Sequence, residues 1–337
     1  MTKLIDDPTS VVSDMASGVA LAHPRLRQLG DYTTIVTREN RTEGVAIVSG
    51  GGSGHEPAHW GYVGRGMLDA ACGGEVFTSP PVDQILGAIR FVDERNAHAG
   101  VLLVVKNFAG DVMNFGMAAE TAADEGIPVT TVTVNDDVSI PDPDLRRGIA
   151  GAVLVHKTAG AAAARGAALE KVKQVAHKAI RNMASCGIAT SACVLPGASG
   201  PSFELAEGEM EVGIGIHGER GTATMPLQSA TRMCEIVFAA LKENLPPLGD
   251  RRVLLLINGM GGTPALELHL LFGGMHRLVS EMGAIVAIGL VGNYMTSLDM
   301  TGFSGTILLL DEELEDLLRA EHSAPAFPNL SCEPIGL

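Results

Sequence analysis

Two α/β domains, each with a largely parallel or mixed sheet, are predicted from three features of this 337-residue chain. Short aliphatic runs alternate with helix-patterned segments from Val45 to Leu310, the order that covers both faces of a sheet with helices. Some of these runs, such as Val101–Val105, are apolar throughout, as strands buried on both faces are. Successive strands also end in polar or glycine-rich turns, which gathers the chemistry-bearing side chains along one sheet edge.

Taken in order, Pro8–Ala22 carries Val11, Val12, Met15, Val19 and Ala22 at helical spacing and stops before Pro24. Val45–Val48 is the first clear strand and runs into Ser49-Gly-Gly-Gly-Ser-Gly-His-Glu-Pro57. Ser79 as N-cap and Pro80 in the first turn open a helix to about Asn96. Strand Val101–Val105 ends in the polar turn Lys106–Asp111, and helix Asn114–Asp124 follows. Strand Val129–Val134 releases into Asp136, Asp137, Asp142 and Asp144, whose spacing is not that of an EF-hand and which reads as a solvated loop. The Ala-rich stretch His156–Ser185 is a long helix closing the first domain, 1–184. In the second domain, 185–337, strands are expected at Ile188–Leu195, Glu209–His217, Val253–Ile257, Ile285–Val291 and Gly305–Leu310. Helices are expected at Met225–Asn244 and from Thr263-Pro264 to about Met282. The tail from about residue 323 lacks periodicity and is expected to pack back on the first domain.

Composition narrows the function. A net charge of −15 argues against nucleic acid or an anionic membrane surface as the main partner. The five cysteines, Cys72, Cys186, Cys193, Cys234 and Cys332, contain no C-x-x-C pair, which argues against a disulfide framework or zinc knuckle and for small buried hydrophobes in a reducing compartment. Without a signal-peptide core or an apolar run long enough to span a bilayer, a cytoplasmic location is expected.

Two segments carry the chemistry. Gly50, Gly51, Gly52 and Gly54 leave backbone N–H groups bare for close approach of a ligand, and His55 follows at the strand exit, able to exchange a proton near neutral pH. The loop fits neither G-x-G-x-x-G, since His55 or Pro57 falls where the last glycine belongs, nor G-x-S-x-G around Ser53; no Walker loop occurs. His59 lies four residues beyond His55, but Pro57 intervenes and no acid completes a zincin pattern, so no metal is assigned. The second segment, Glu211-Val-Gly-Ile-Gly-Ile-His217-Gly-Glu-Arg-Gly221, sets a histidine on an uncrowded, glycine-lined platform suited to a nucleophile.

These segments, with Phe77-Thr-Ser-Pro80, Lys106-Asn-Phe-Ala-Gly-Asp111 and Thr296-Ser-Leu-Asp-Met-Thr-Gly-Phe303, resemble the substrate-binding (K) subunit family of dihydroxyacetone kinase in order and spacing over essentially the whole chain. The resemblance implies that His217 adds to the ketone of dihydroxyacetone to give a hemiaminal, which excludes a polyol such as glycerol. It implies that Gly52, Ser53, Gly54 and His55 hold the substrate hydroxyls with Lys106 and Asp111. Asp111 then bonds the reacting hydroxyl and His55 takes its proton as general base. Two departures, Ala109 where many relatives have a hydroxyl and Arg220 where proline is common, bear on substrate preference. The chain shows no nucleotide-binding motif, so ADP or ATP with Mg²⁺ is expected on a separate kinase subunit, recharged through a phosphotransferase system or by ATP. A homodimer is implied. The alternatives are a kinase subunit for another short ketose such as erythrulose and a non-catalytic binding or regulatory paralogue.

Overall fold

The computed structural model describes residues 3–37 and 44–330. In chain order its elements are α1 (Val11–Ala22), β1 (Leu26–Gln28), β2 (Ile35–Thr37), β3 (Ala46–Ser53), β4 (Ala70–Val76) and α2 (Val82–Asp93). They continue with β5 (Val101–Lys106), α3 (Ala109–Asp124), β6 (Val129–Val134), α4 (Ala152–Ala164) and α5 (Leu169–Arg181). The remainder is β7 (Met183–Ala189), β8 (Glu209–Val212), β9 (Ala223–Pro226), α6 (Ala230–Glu243), β10 (Arg252–Gly259), α7 (Ala265–Glu281), β11 (Ile285–Gly292), β12 (Gly302–Leu310) and α8 (Glu312–Arg319).

Two six-stranded mixed sheets form, as the alternating pattern predicts. The first has the order β1-β2-β4-β3-β5-β6. Its strands β4, β3, β5 and β6 run parallel, while β2 pairs antiparallel with both β4 and β1. The second has the order β11-β10-β12-β7-β8-β9 and is parallel only between β10 and β11, the pair joined by the α7 crossover. One buried core spans both sheets: Ile47 and Leu102 share it with Leu254, Leu256 and Leu308, and with Val153 and Leu154 of α4 and Leu317 of α8. The tail lies on the loop after β3, where Ser323 N–H donates to the Arg65 carbonyl at 3.0 Å and Ala326 N–H to the Gly61 carbonyl at 2.9 Å.

Several elements differ from expectation for identifiable reasons. The stretch His156–Ser185 is two helices and the start of β7, because the chain breaks at Gly166, whose φ is +81°. Strand β7 accordingly begins at Met183, earlier than the expected Ile188. Ser79 does not cap α2; Pro81 holds the N-cap position and the Ser79 hydroxyl is engaged elsewhere. Met225 belongs to edge strand β9, so α6 starts at Ala230 with Ser229 capping the Arg232 N–H. Asp136 and Asp137 are not solvated: both are buried. Asp136 accepts the Ile149 and Gly151 N–H groups at 2.8 and 2.9 Å, at the start of α4. Asp137 pairs with Arg147.

Cys72, Cys186, Cys193 and Cys234 are free and buried, while Cys332 falls outside the described residues. Among the described residues, no helix is long and apolar enough to cross a membrane.

Candidate active site between the two sheets

His55, Lys106, Asp111 and His217, the side chains the resemblance brings forward, meet at the seam between the sheets. Strand β3 stops at Ser53, and the loop after it is stitched to the segment between β11 and β12. Leu298 N–H donates to the Gly54 carbonyl at 2.8 Å and Thr296 N–H to the His55 carbonyl at 3.1 Å. His55 returns the contact: its Nδ1 lies 2.8 Å from the Thr296 carbonyl oxygen. A carbonyl can only accept, so Nδ1 carries the proton and Nε2 keeps a lone pair. Burial, with the charges of Lys106 and His217, holds the imidazole well below its ordinary pKa, in the neutral form a base requires.

His217 does not end a strand. Strand β8 closes at Val212, and Gly213 and Gly218, at φ +75° and +78°, turn the chain so that the histidine lies in the bend. Glu219 clasps it from within the same turn, with Oε1 2.7 Å from Nδ1 and Oε2 3.0 Å from the backbone nitrogen. Gly215 leaves the room for this, because a Cβ there would lie 1.9 Å from Glu219 Oε2. Burial pushes the Glu219 carboxyl upward, but the hydrogen bond and charge of His217 outweigh it and bring the pKa down to about 2. The carboxylate therefore takes the Nδ1 proton bond and turns Nε2 outward as the free nitrogen. The His217 ring centroid is 4.8 Å from that of His55, 5.2 Å from Phe77 and 4.5 Å from Phe108, edge-on to each.

Lys106 ends β5 and Asp111 sits in the first turn of α3, where the helix dipole favours a carboxylate. Both are buried, with Nζ 4.0 Å from Oδ2, an ion pair without a hydrogen bond. The Ser79 hydroxyl donates to Asp111 Oδ1, and Lys106 Nζ lies 5.6 Å from the Phe108 ring centre. Burial lowers the Lys106 pKa, opposed by the carboxylates of Asp111, Glu219 and Glu56. Lys106 Nζ and His55 Nε2 are both buried polar atoms without a partner, the state of groups that wait for a ligand. Ser53 lies on the same loop, its hydroxyl donating to the Gly74 carbonyl at 2.7 Å, and Gly52 and Gly54 pass beside Phe77. A cavity of about 20 Å³ under the loop, lined by Gly51, Ser53, Glu56, His59 and Trp60, is the size of one water and lies apart from the histidine pair. Among the described residues, no three His, Cys, Asp or Glu side chains are grouped to hold a metal ion.

Sequence reasoning missed three supports. Glu219 stood two residues from His217 across a glycine, which was the available signal. The Thr296 carbonyl has none, because any residue supplies that group. Arg147 sits under the His217 turn: its Nη2 donates to the Gly213 carbonyl at 2.6 Å and pairs with Asp137 Oδ2 at 2.6 Å. Its partner had been read as solvated.

A buried neutral imidazole, a carboxylate-backed imidazole and a buried ammonium thus meet between two α/β sheets. The Dak1 domain matches residues 17–326. The Listeria innocua protein named "PTS-dependent dihydroxyacetone kinase 1, dihydroxyacetone-binding subunit DhaK" is 44% identical over 324 residues, 95% of this chain and 98% of that one. The solved dihydroxyacetone kinase of C. freundii is 38% identical with a TM-score of 0.88, over 97% of this chain and 60% of that one. A solved "dihydroxyacetone kinase operon co-activator", DhaQ, is 35% identical with a TM-score of 0.88, over 93% and 97%. This chain belongs to the Dak1 family, that of the dihydroxyacetone-binding subunits of dihydroxyacetone kinases.

Proposed function

We propose that this chain is the dihydroxyacetone-binding subunit of a multi-subunit dihydroxyacetone kinase and works as a homodimer. The observation that carries the reading is the pair of imidazoles 4.8 Å apart, each bound at Nδ1 by an acceptor. Each keeps Nε2 without a hydrogen bond to any described residue. His217 Nε2 adds to the ketone carbon, the carbonyl oxygen takes up a proton, and the resulting hemiaminal leaves a substituted imidazolium facing the Glu219 carboxylate. A polyol offers no electrophilic carbon, so the bond itself selects ketone over glycerol, which hydrogen bonds alone do poorly. Gly52, Ser53, Gly54 and Lys106 hold the hydroxyls, Asp111 orients the reacting one, and His55 Nε2 removes its proton. The phosphoryl group, with ADP or ATP and Mg²⁺, comes from a separate nucleotide-binding subunit, because phosphoryl transfer asks of the acceptor side mainly orientation and proton removal.

The experiment is dihydroxyacetone turnover with the donor subunit, alongside intact-mass or crystallographic detection of a ketose adduct on His217. Turnover and an adduct in the native chain, with the adduct lost in His217→Ala, are expected. A native chain with neither is no kinase subunit. A second reading, a transcriptional co-activator, has one observation in its favour: the 35% identity to DhaQ over 93% of this chain. Turnover separates the two.

A further inference from the structure

Phe77 is a bulky residue in a conformation that bulky residues avoid. Its φ is +56°, in the left-handed region, directly after β4. The ring is half-buried at the margin of the cluster that includes Ile214, Met260 and Met300. The surroundings nevertheless make way for it. A Cβ on Gly52 would lie 2.8 Å from Phe77 Cα, and one on Gly54 would lie 2.8 Å from Phe77 Cε1. Leu298, which packs beside Gly54 from the other sheet, is itself left-handed at φ +53°. The Phe77 N–H is fixed to the Ser53 carbonyl at 3.0 Å.

What these concessions achieve is one ring touching both histidines. Phe77 stacks on His55 with centroids 5.1 Å apart and planes 15° from parallel. It meets His217 at 5.2 Å and 73°, so the three rings form a nearly equilateral triangle closed by the 4.8 Å between the histidines. Backbone strain of this kind collects where geometry serves chemistry.

We propose that Phe77 is a positioning residue whose ring sets the spacing and tilt of His55 and His217, a role that rests on the reading of the site given above. It touches neither reacting atom. It holds the face of one imidazole and the edge of the other, so that base and nucleophile converge on one small molecule.

The test compares Phe77→Gly and Phe77→Tyr with the native chain in three measurements: melting temperature, kcat/KM for dihydroxyacetone with the donor subunit, and the spacing and tilt of the His55 and His217 rings in crystal structures without substrate. Glycine accepts the left-handed backbone, so Phe77→Gly is expected to stay folded with little change in melting temperature. It is expected to lose at least about tenfold in kcat/KM and to change the spacing and tilt of the two histidine rings, 4.8 Å and 65° in the native chain. Phe77→Tyr is expected to keep kcat/KM within about threefold, since the ring is retained. Full activity in Phe77→Gly overturns the proposal. So does a loss that merely follows a collapsed melting temperature without rescue by tyrosine. If the native chain phosphorylates nothing, the functional reading fails on its own, and the crystallographic comparison still decides: an unchanged spacing and tilt of the His55 and His217 rings in Phe77→Gly overturns the positioning role.

Discussion

What an imidazole does is decided by whatever holds its other nitrogen. His55 is held by a neutral carbonyl and buried, which keeps it uncharged, while His217 is held by a carboxylate, which tolerates positive charge on the ring. That difference suits one for taking a proton and the other for forming a bond to carbon. Glu219→Ala, which frees Nδ1 and lets the other tautomer form, should slow adduct formation by about 10²-fold. Glu219→Gln, whose amide oxygen still accepts the Nδ1 proton, should fall between the two. Nitrogen-15 NMR of His217 with stopped-flow turnover checks this, and an unaltered rate in Glu219→Ala removes the carboxylate from the mechanism. At this scale the sequence was most informative. Histidines next to glycines stand out in the sequence, whereas Lys106 and Asp111 on their own look like an ordinary ion pair at a turn and are singled out only by the family resemblance. Acceptors such as the Thr296 carbonyl leave no trace in residue identity, so the tautomers were invisible until the backbone was traced.

Elements were read well where their period was clean and poorly where a turn was disguised. Helix α7 and strands β5, β6 and β11 lie close to their predicted spans because uninterrupted apolar patterning defines them, whereas α3 begins at Ala109, five residues before the expected Asn114, and takes Asp111 into its first turn. The three-residue strands β1 and β2 and the four-residue β9 are too short for any period, and α8, acids and leucines closed by Arg319, has no counterpart among the expected elements. The costliest misreading was the acidic loop after β6. Four aspartates in ten residues look like solvent chemistry, yet Asp136 and Asp137 are turned inward by the Ile149 and Gly151 N–H groups and by Arg147. Burial raises the Asp136 pKa to about 6. It also pushes Asp137 up against the pull of Arg147. Arg147→Leu strands Asp137 without its partner and frees the Gly213 carbonyl, so a loss of about 3–5 kcal/mol in urea unfolding is expected. The double variant Arg147→Leu with Asp137→Leu should recover part of that loss. A single variant as stable as the native chain would mean that water already satisfies the carboxylate.

The molecule as a whole carries a pH signature. His55, His59 and His156 are fully buried, with pKa values depressed first by burial and then by the nearby Lys106 charge, His156 to about 3. Unfolded, each titrates near 6.5. Below that pH the unfolded chain binds protons that the folded chain refuses, so their effect on stability is nil above about pH 7 and grows steadily unfavourable on acidification. Each adds a slope of up to about 1.4 kcal/mol per pH unit. Asp136 works in the opposite direction, since a carboxyl whose pKa is raised in the fold favours folding as pH drops towards 4. Denaturant midpoints from pH 7.5 to 4.5 should therefore fall with acid, and His59→Phe should flatten the fall by one histidine's share. An identical slope in that variant would show that His59 takes up its proton without unfolding. The two-sheet architecture, parallel or mixed, followed from the alternation of elements, but which strand pairs run antiparallel did not, because antiparallel return strands and parallel crossovers present the same apolar runs.

The contact that orients His55 is also one of the rivets between the halves of the molecule, together with the Thr296 and Leu298 amides on the loop opposite. Any hinge motion that parts the sheets to let a ligand in or out must break it. The bond that fixes which nitrogen of His55 carries the proton thus also helps to hold the sheets together, so a change that parts them would unset the imidazole as well.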